Sequence, residues 1–109
     1  MTHYYYRLAL ETGATRDDDG NPVIWAACPD LPGAYAEAEG ESGAVAALRA
    51  LAVHIIAEHL LREDPLDPAI VATDIPTAEA ADTLLVAITE DDLTAVRDAP
   101  LLYVEVPEP

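Results

Sequence analysis

Cys28-Pro29-Asp30-Leu31-Pro32-Gly33 decides how this 109-residue chain divides into elements. Pro29 and Pro32 each fix φ and remove a backbone donor, so the stretch is rigid corner and not strand interior. Gly33 can take positive φ at no steric cost and let the chain reverse. Before the corner, Val23-Ile24-Trp25-Ala26-Ala27 reads as a strand. After it, Tyr35 to Ala38 reads as a second, weaker strand, and an Ala-rich helix opens near Ser42. Strand, proline corner, strand and long helix make a specific order.

Outward from the corner, Tyr4 to Leu10 is an aromatic strand, with Tyr4 and Tyr6 on one side and Tyr5 on the other. Glu11 to Asn21 contains Gly13, Gly20 and three consecutive Asp, and reads as the hairpin connection. In Pro22 to Cys28, Val23, Trp25 and Ala27 share one face while Ile24 and Ala26 share the other. A strand apolar on both faces belongs in the middle of a sheet, or is covered by a helix and a dimer partner. The helix runs to about Arg62, with Ser42 as N-cap and Glu39 and Glu41 near its positive end. Val45, Leu48, Leu51, Ala52, Ile55, Ile56 and Leu60 form its apolar side, with Arg49, His54 and Glu58 outward. Glu58 and Arg62 are spaced for an i,i+4 pair.

Residues 65–82 read as an acidic, proline-containing loop. Thr83 to Ile88 is a strand. Thr89, with Asp92 three residues on, caps a short helix through Arg97. Leu101 to Val106 completes the series as an edge strand before Pro107. The fold class is therefore α+β: a β-β-β-α-β small sheet with one long helix packed across it, plus a short C-terminal helix and edge strand. One domain spans 1–109, with its core in 4–64 and 83–88 and an extension over 89–109.

Charge is the second strong signal. The chain carries 21 Asp and Glu against five Lys and Arg, a formal net charge of -16 at pH 7. All five cations are arginines. Such a surface repels nucleic acid and anionic membrane and favours a basic partner. Residues 65–109 hold a single basic residue, Arg97, so no basic helix is offered to a DNA groove. No apolar run approaches a membrane span, no signal peptide opens the chain, and a cytoplasmic location is expected.

Little here suggests chemistry. His54 and His59 are five apart, the wrong spacing for an i,i+4 metal pair, and His59 reads as a packed histidine on the apolar side. Asp17, Asp18 and Asp19 lack the alternation of a calcium loop. Cys28 has no second cysteine to pair with and no nearby cation to activate it. No Ser-His-Asp arrangement, phosphate loop or two-metal carboxylate set is present, so neither an enzyme nor a cofactor or metal site is expected. Asp30 has two readings: an Asx-turn acceptor at the corner, or a partner contact.

The sequence resembles the HicB-type antitoxin domain of bacterial toxin–antitoxin systems over roughly residues 4–64. The matching pieces are Tyr4 to Leu10, the acidic turn Asp17-Asp18-Asp19-Gly20-Asn21, Val23 to Gly33 with its Pro-Asp-Leu-Pro-Gly motif, and the helix from Ser42. It departs in having Ala34 after the motif glycine, and in showing no counterpart of the DNA-binding module many members carry. The resemblance implies a shortened ribonuclease H fold and a non-catalytic role, neutralising a small basic ribonuclease toxin. Asp17, Asp18, Asp19, Asp30, Glu37, Glu39 and Glu41 are then the candidate partner-binding residues, and Pro29, Pro32 and Gly33 the structural corner. Other readings are an acidic, nucleic-acid-mimicking inhibitor of phage or regulatory origin, or a solitary oligomerising domain. The two-sided strand and the final edge strand lead to the expectation of a homodimer or larger homo-oligomer.

Overall fold

The computed structural model describes residues 3–73 and 82–98. They form an α+β fold of six strands and two helices, in the order β1 (His3–Ala9), β2 (Glu11–Arg16), β3 (Pro22–Ala27), β4 (Tyr35–Ala38), α1 (Glu41–Arg62), β5 (Val71–Thr73), β6 (Thr83–Thr89) and α2 (Glu90–Asp98). The expected edge strand at Leu101 to Val106 lies outside the described residues.

The expected single sheet is divided in two. One antiparallel sheet has the order β5-β1-β6 and the other β2-β3-β4. Both are tied to one length of chain, because β1 passes into β2 through Leu10 alone. Side-chain alternation is unbroken across that residue: Tyr6 and Leu8 are buried and Leu10 half-buried, while Arg7, Ala9 and Glu11 are exposed. The division follows from the proline corner. The last pair between β2 and β3 is Glu11 with Ala27, and β3 then gives way to chain that cannot continue the ladder. Beyond Leu10 the long strand pairs instead with β6, from His3↔Thr89 to Ala9↔Thr83, and with β5.

Two assignments from sequence are corrected here. Glu11 to Arg16 is strand, so the hairpin connection shrinks to Asp17 through Asn21. The stretch read as loop over 65–82 contains β5, whose three residues are too short to produce an alternation.

α1 packs against β3, β4 and β6 and so bridges the two sheets. Its buried residues are Ala44, Leu48, Ala52, Ile56 and Ala57. Ala44, Leu48, Ala52 and Ile56 recur every four residues and lay one stripe on the sheets. Alanines within it, with Ala26 beneath, let the helix backbone come close, and Leu8, Leu31, Leu84, Val86 and Ile88 fill the space alongside. Val45, Ile55 and Leu60 flank this stripe as expected, whereas Leu51 is half-buried outside the core cluster. By length and composition α1 is also apolar enough to cross a membrane: 22 residues, mean hydropathy 1.6. That corrects the reading of the chain as lacking such a run. In this fold the buried stripe of α1 is taken up by the two sheets.

The helix ends also differ from expectation. Gly40, not Ser42, is the N-cap of α1, and no side chain caps it. Ser42 lies within the first turn. At the other end Glu63 adopts the left-handed conformation, φ 58°, and the backbone closes through Asp64 N–H to the His59 carbonyl, 2.9 Å. α2 begins as read from sequence. Thr89 N–H donates to Asp92 Oδ2 (2.8 Å), and Asp92 N–H donates to Thr89 Oγ1 (3.1 Å), a reciprocal cap.

Candidate interaction surface

The Pro-Asp-Leu-Pro-Gly corner is a pair of successive turns held by backbone bonds. Leu31 N–H donates to the Cys28 carbonyl (3.0 Å), Ala34 N–H to that of Leu31 (3.0 Å), and Cys28 N–H to that of Ala34 (3.1 Å). Leu31 and Cys28, each 2% exposed, anchor it in the core. Gly33 has φ 88°, as its place in the reversal requires. Asp30 is not the turn acceptor: among the described residues its side chain makes no hydrogen bond. It lines a surface cleft of about 460 Å³ with Leu31, His59, Leu66, Asp67 and neighbouring prolines. Burial, and secondarily the charge of Asp30, pushes the Cys28 thiol up from 9.0 to about 11. The thiol is therefore held protonated within the core, where it fills space.

The acidic hairpin is built differently. Asp17 Oδ1 accepts from the N–H groups of Asp19 and Asn21, both at 2.9 Å, so this aspartate is the acceptor that shapes the turn. Arg16 closes the same turn by donating to the Gly20 carbonyl at 2.7 Å. Asp18 and Asp19 remain exposed and without side-chain partners. Because β4 is antiparallel to β3, the end of β4 returns to the start of β3. Asp17 and Glu39 consequently line one shallow cleft with Asn21, Pro22 and Val23. The fold thus gathers Asp17, Asp18, Asp19, Glu39 and the nearby Glu41 at one end of the β2-β3-β4 sheet. Asp30 is left at the other end of β3, about 20 Å away at strand rise.

Glu37 belongs to neither end. It sits opposite Trp25 in the β3–β4 ladder and accepts a 2.6 Å hydrogen bond from the Tyr35 hydroxyl. That bond, with lesser contributions from desolvation and the Glu37 charge, raises the Tyr35 pKa above 10.0. The rings of Tyr35 and Trp25 lie 6.1 Å apart, 18° from parallel. This face of β3 lies away from α1 and packs on Gly13 and Tyr35.

The helix face read as outward is partly covered. Arg49 is half-buried and its Nε donates to the Leu85 carbonyl at 3.3 Å. Glu58 keeps only 12% side-chain exposure while pairing with Arg62 at 3.6 Å. His54 lines a groove between α1 and α2 with Asp92, and its Nε2 is buried without a partner, as is Nδ1 of half-buried His59. Among the described residues no group of three or more His, Cys, Asp or Glu could hold a metal ion. The aromatic pair over Gly13 is the feature that sequence reasoning missed. Its one signal was a glycine within an otherwise strand-compatible stretch, Glu11 to Arg16. No family model matches this chain, and no curated protein or solved structure matches it either.

Proposed function

We propose that this chain is a non-catalytic, HicB-like antitoxin domain that neutralises a small basic ribonuclease in the cytoplasm. The observation that carries the reading is how its few cations are used. Arg16 and Arg49 are spent on backbone carbonyls, while Arg62 and Arg97 sit beside Glu58, Asp64 and Asp98. Five cations cannot balance 21 carboxylates, and most of the carboxylates among the described residues face solvent. The self-repulsion of such a surface is relieved by a basic partner. An acidic face that covers a phosphate-binding surface also keeps RNA out. The Pro-Asp-Leu-Pro-Gly corner and the order of the first four expected elements support the family assignment.

The test is co-expression with the product of the adjacent reading frame. A stable complex with a small basic protein, whose RNA cleavage stops when this chain is added, is the expected result. Capture instead of a host nucleic-acid enzyme, with no toxin encoded nearby, would favour the nucleic-acid-mimicking inhibitor. The purified chain alone is expected to leave promoter DNA unshifted at physiological salt, since no basic helix is available.

A further inference from the structure

We propose that the outer face of the β2-β3-β4 sheet, centred on Trp25, receives an arginine side chain from a basic protein. This rests on the reading that the partner is basic, and adds where the contact is centred and which cation it selects. The face is composed of Gly13 and Thr15 from β2, Val23 and Trp25 from β3, and Tyr35 and Glu37 from β4. α1 covers the opposite side.

Gly13 stands opposite Trp25 in the β2–β3 ladder. A Cβ there would lie 2.5 Å from Trp25 Cζ2, 2.6 Å from Cε2 and 2.7 Å from Nε1. Contact with three consecutive atoms, Nε1, Cε2 and Cζ2, puts the rim of the indole where a side chain at residue 13 would stand. Trp25 is half-buried, so part of the indole stays open to solvent on this face. Tyr35, 49% exposed, stacks near-parallel to the indole with ring centres 6.1 Å apart and adds a second aromatic surface. The Tyr35 hydroxyl holds the Glu37 carboxylate beside the rings, and Glu11 stands on the same face, opposite Ala27.

Ring faces carry negative charge density, and the two carboxylates add to it, so the patch is complementary to a cation. A guanidinium is planar, stacks on aromatic rings and bonds a carboxylate with two N–H groups; an ammonium supplies charge alone. Among the described residues of this face no cation is present. Arg7 follows on the same strand side but lies about 13 Å beyond Glu11. A second copy brings the same carboxylates and the same net charge of -16, and nucleic acid brings phosphates, so neither complements the patch.

Trp25 is the only tryptophan, so its emission reports on this surface alone. Hexa-arginine and hexa-lysine peptides are titrated into the full chain at ~0.05 M salt, where exposed charges still act. Hexa-arginine is expected to change Trp25 emission and to bind at least about fivefold tighter than hexa-lysine. Glu37→Gln, which keeps the fluorophore and the sheet, should lower that preference to about twofold or less. By calorimetry, Trp25→Leu should bring hexa-arginine down to the hexa-lysine level, provided that its circular dichroism melt is retained; if it unfolds, Glu37→Gln decides. Equal affinities with unchanged emission would overturn this surface and leave the basic-partner reading standing. Binding of neither peptide would overturn both. A dimer by light scattering whose Trp25 is closed to acrylamide would also overturn it, in favour of a second copy.

Discussion

Gly13 and Trp25 stand directly opposite one another on β2 and β3, and the indole rests on the bare Cα of the glycine. Gly13→Ala inserts a methyl group where the ring now lies. The ring must swing off the sheet and part from Tyr35. The expected result is a red-shifted Trp25 emission and a loss of about 1 kcal/mol, the low end of overpacking because the site is half-buried. Emission and denaturant midpoint, measured on the same sample, check both.

Gly33 is a different kind of glycine. A Cβ there would meet only Ile55 Cδ1 at 3.7 Å, ordinary contact, so space is not the constraint. The constraint is φ 88°. Gly33→Ala should cost about 1 kcal/mol and Gly33→Val about 2 kcal/mol, with the difference set by β-branching in the left-handed region. Thermal melts of the two variants give the ranking, and equal stability of both to the parent would show that the corner relaxes freely.

The three hairpin aspartates divide into two roles. Asp17→Ala removes the acceptor of two backbone bonds in an exposed turn and should cost about 1 kcal/mol. Replacing Asp18 and Asp19 together by Asn should leave the melt unchanged while slowing association with a basic partner and flattening its salt dependence. Stopped-flow mixing across a salt series separates these effects. A partner indifferent to salt would place the contact on apolar surface instead.

Cys28 makes stability depend on alkaline pH. Its thiol ionises near 9.0 when unfolded and at about 11 in the fold, so the folded state holds its proton longer. That contribution is fully present below pH 9 and is lost as pH rises toward 11. Cys28→Ala should therefore lose less stability than the parent between those values. The native thiol should react slowly with a disulfide reagent at pH 8, and at full rate in denaturant.

The strands, the corner and the helix were legible because each rests on local chemistry: β-branched and aromatic runs, two prolines bracketing Asp30, an apolar stripe at helical spacing. The reciprocal cap of Thr89 and Asp92 was legible for the same reason. What escaped was decided by distant chain. β5 exists because β1 has an open side once the corner ends β3. Gly13 resembled a turn residue until Trp25 was placed on it. The helix start moved from Ser42 to Gly40 because β4 ends at Ala38, close to where a Gly43 Cβ would fall (3.3 Å), and so sets where the helix begins. In the candidate site, composition identified the acids, but only the antiparallel return of β4 brought Glu39 to Asp17 and left Asp30 apart.

The passage of β1 into β2 through Leu10 has a consequence for unfolding. One uninterrupted length of chain, His3 to Arg16, is a member of both sheets, and α1 spans them. Neither sheet keeps all its strands if the other is lost. The two should exchange their amide hydrogens as a single cooperative unit, and an arginine docked on the Trp25 face would slow exchange in β1 and β6 as well as beneath it.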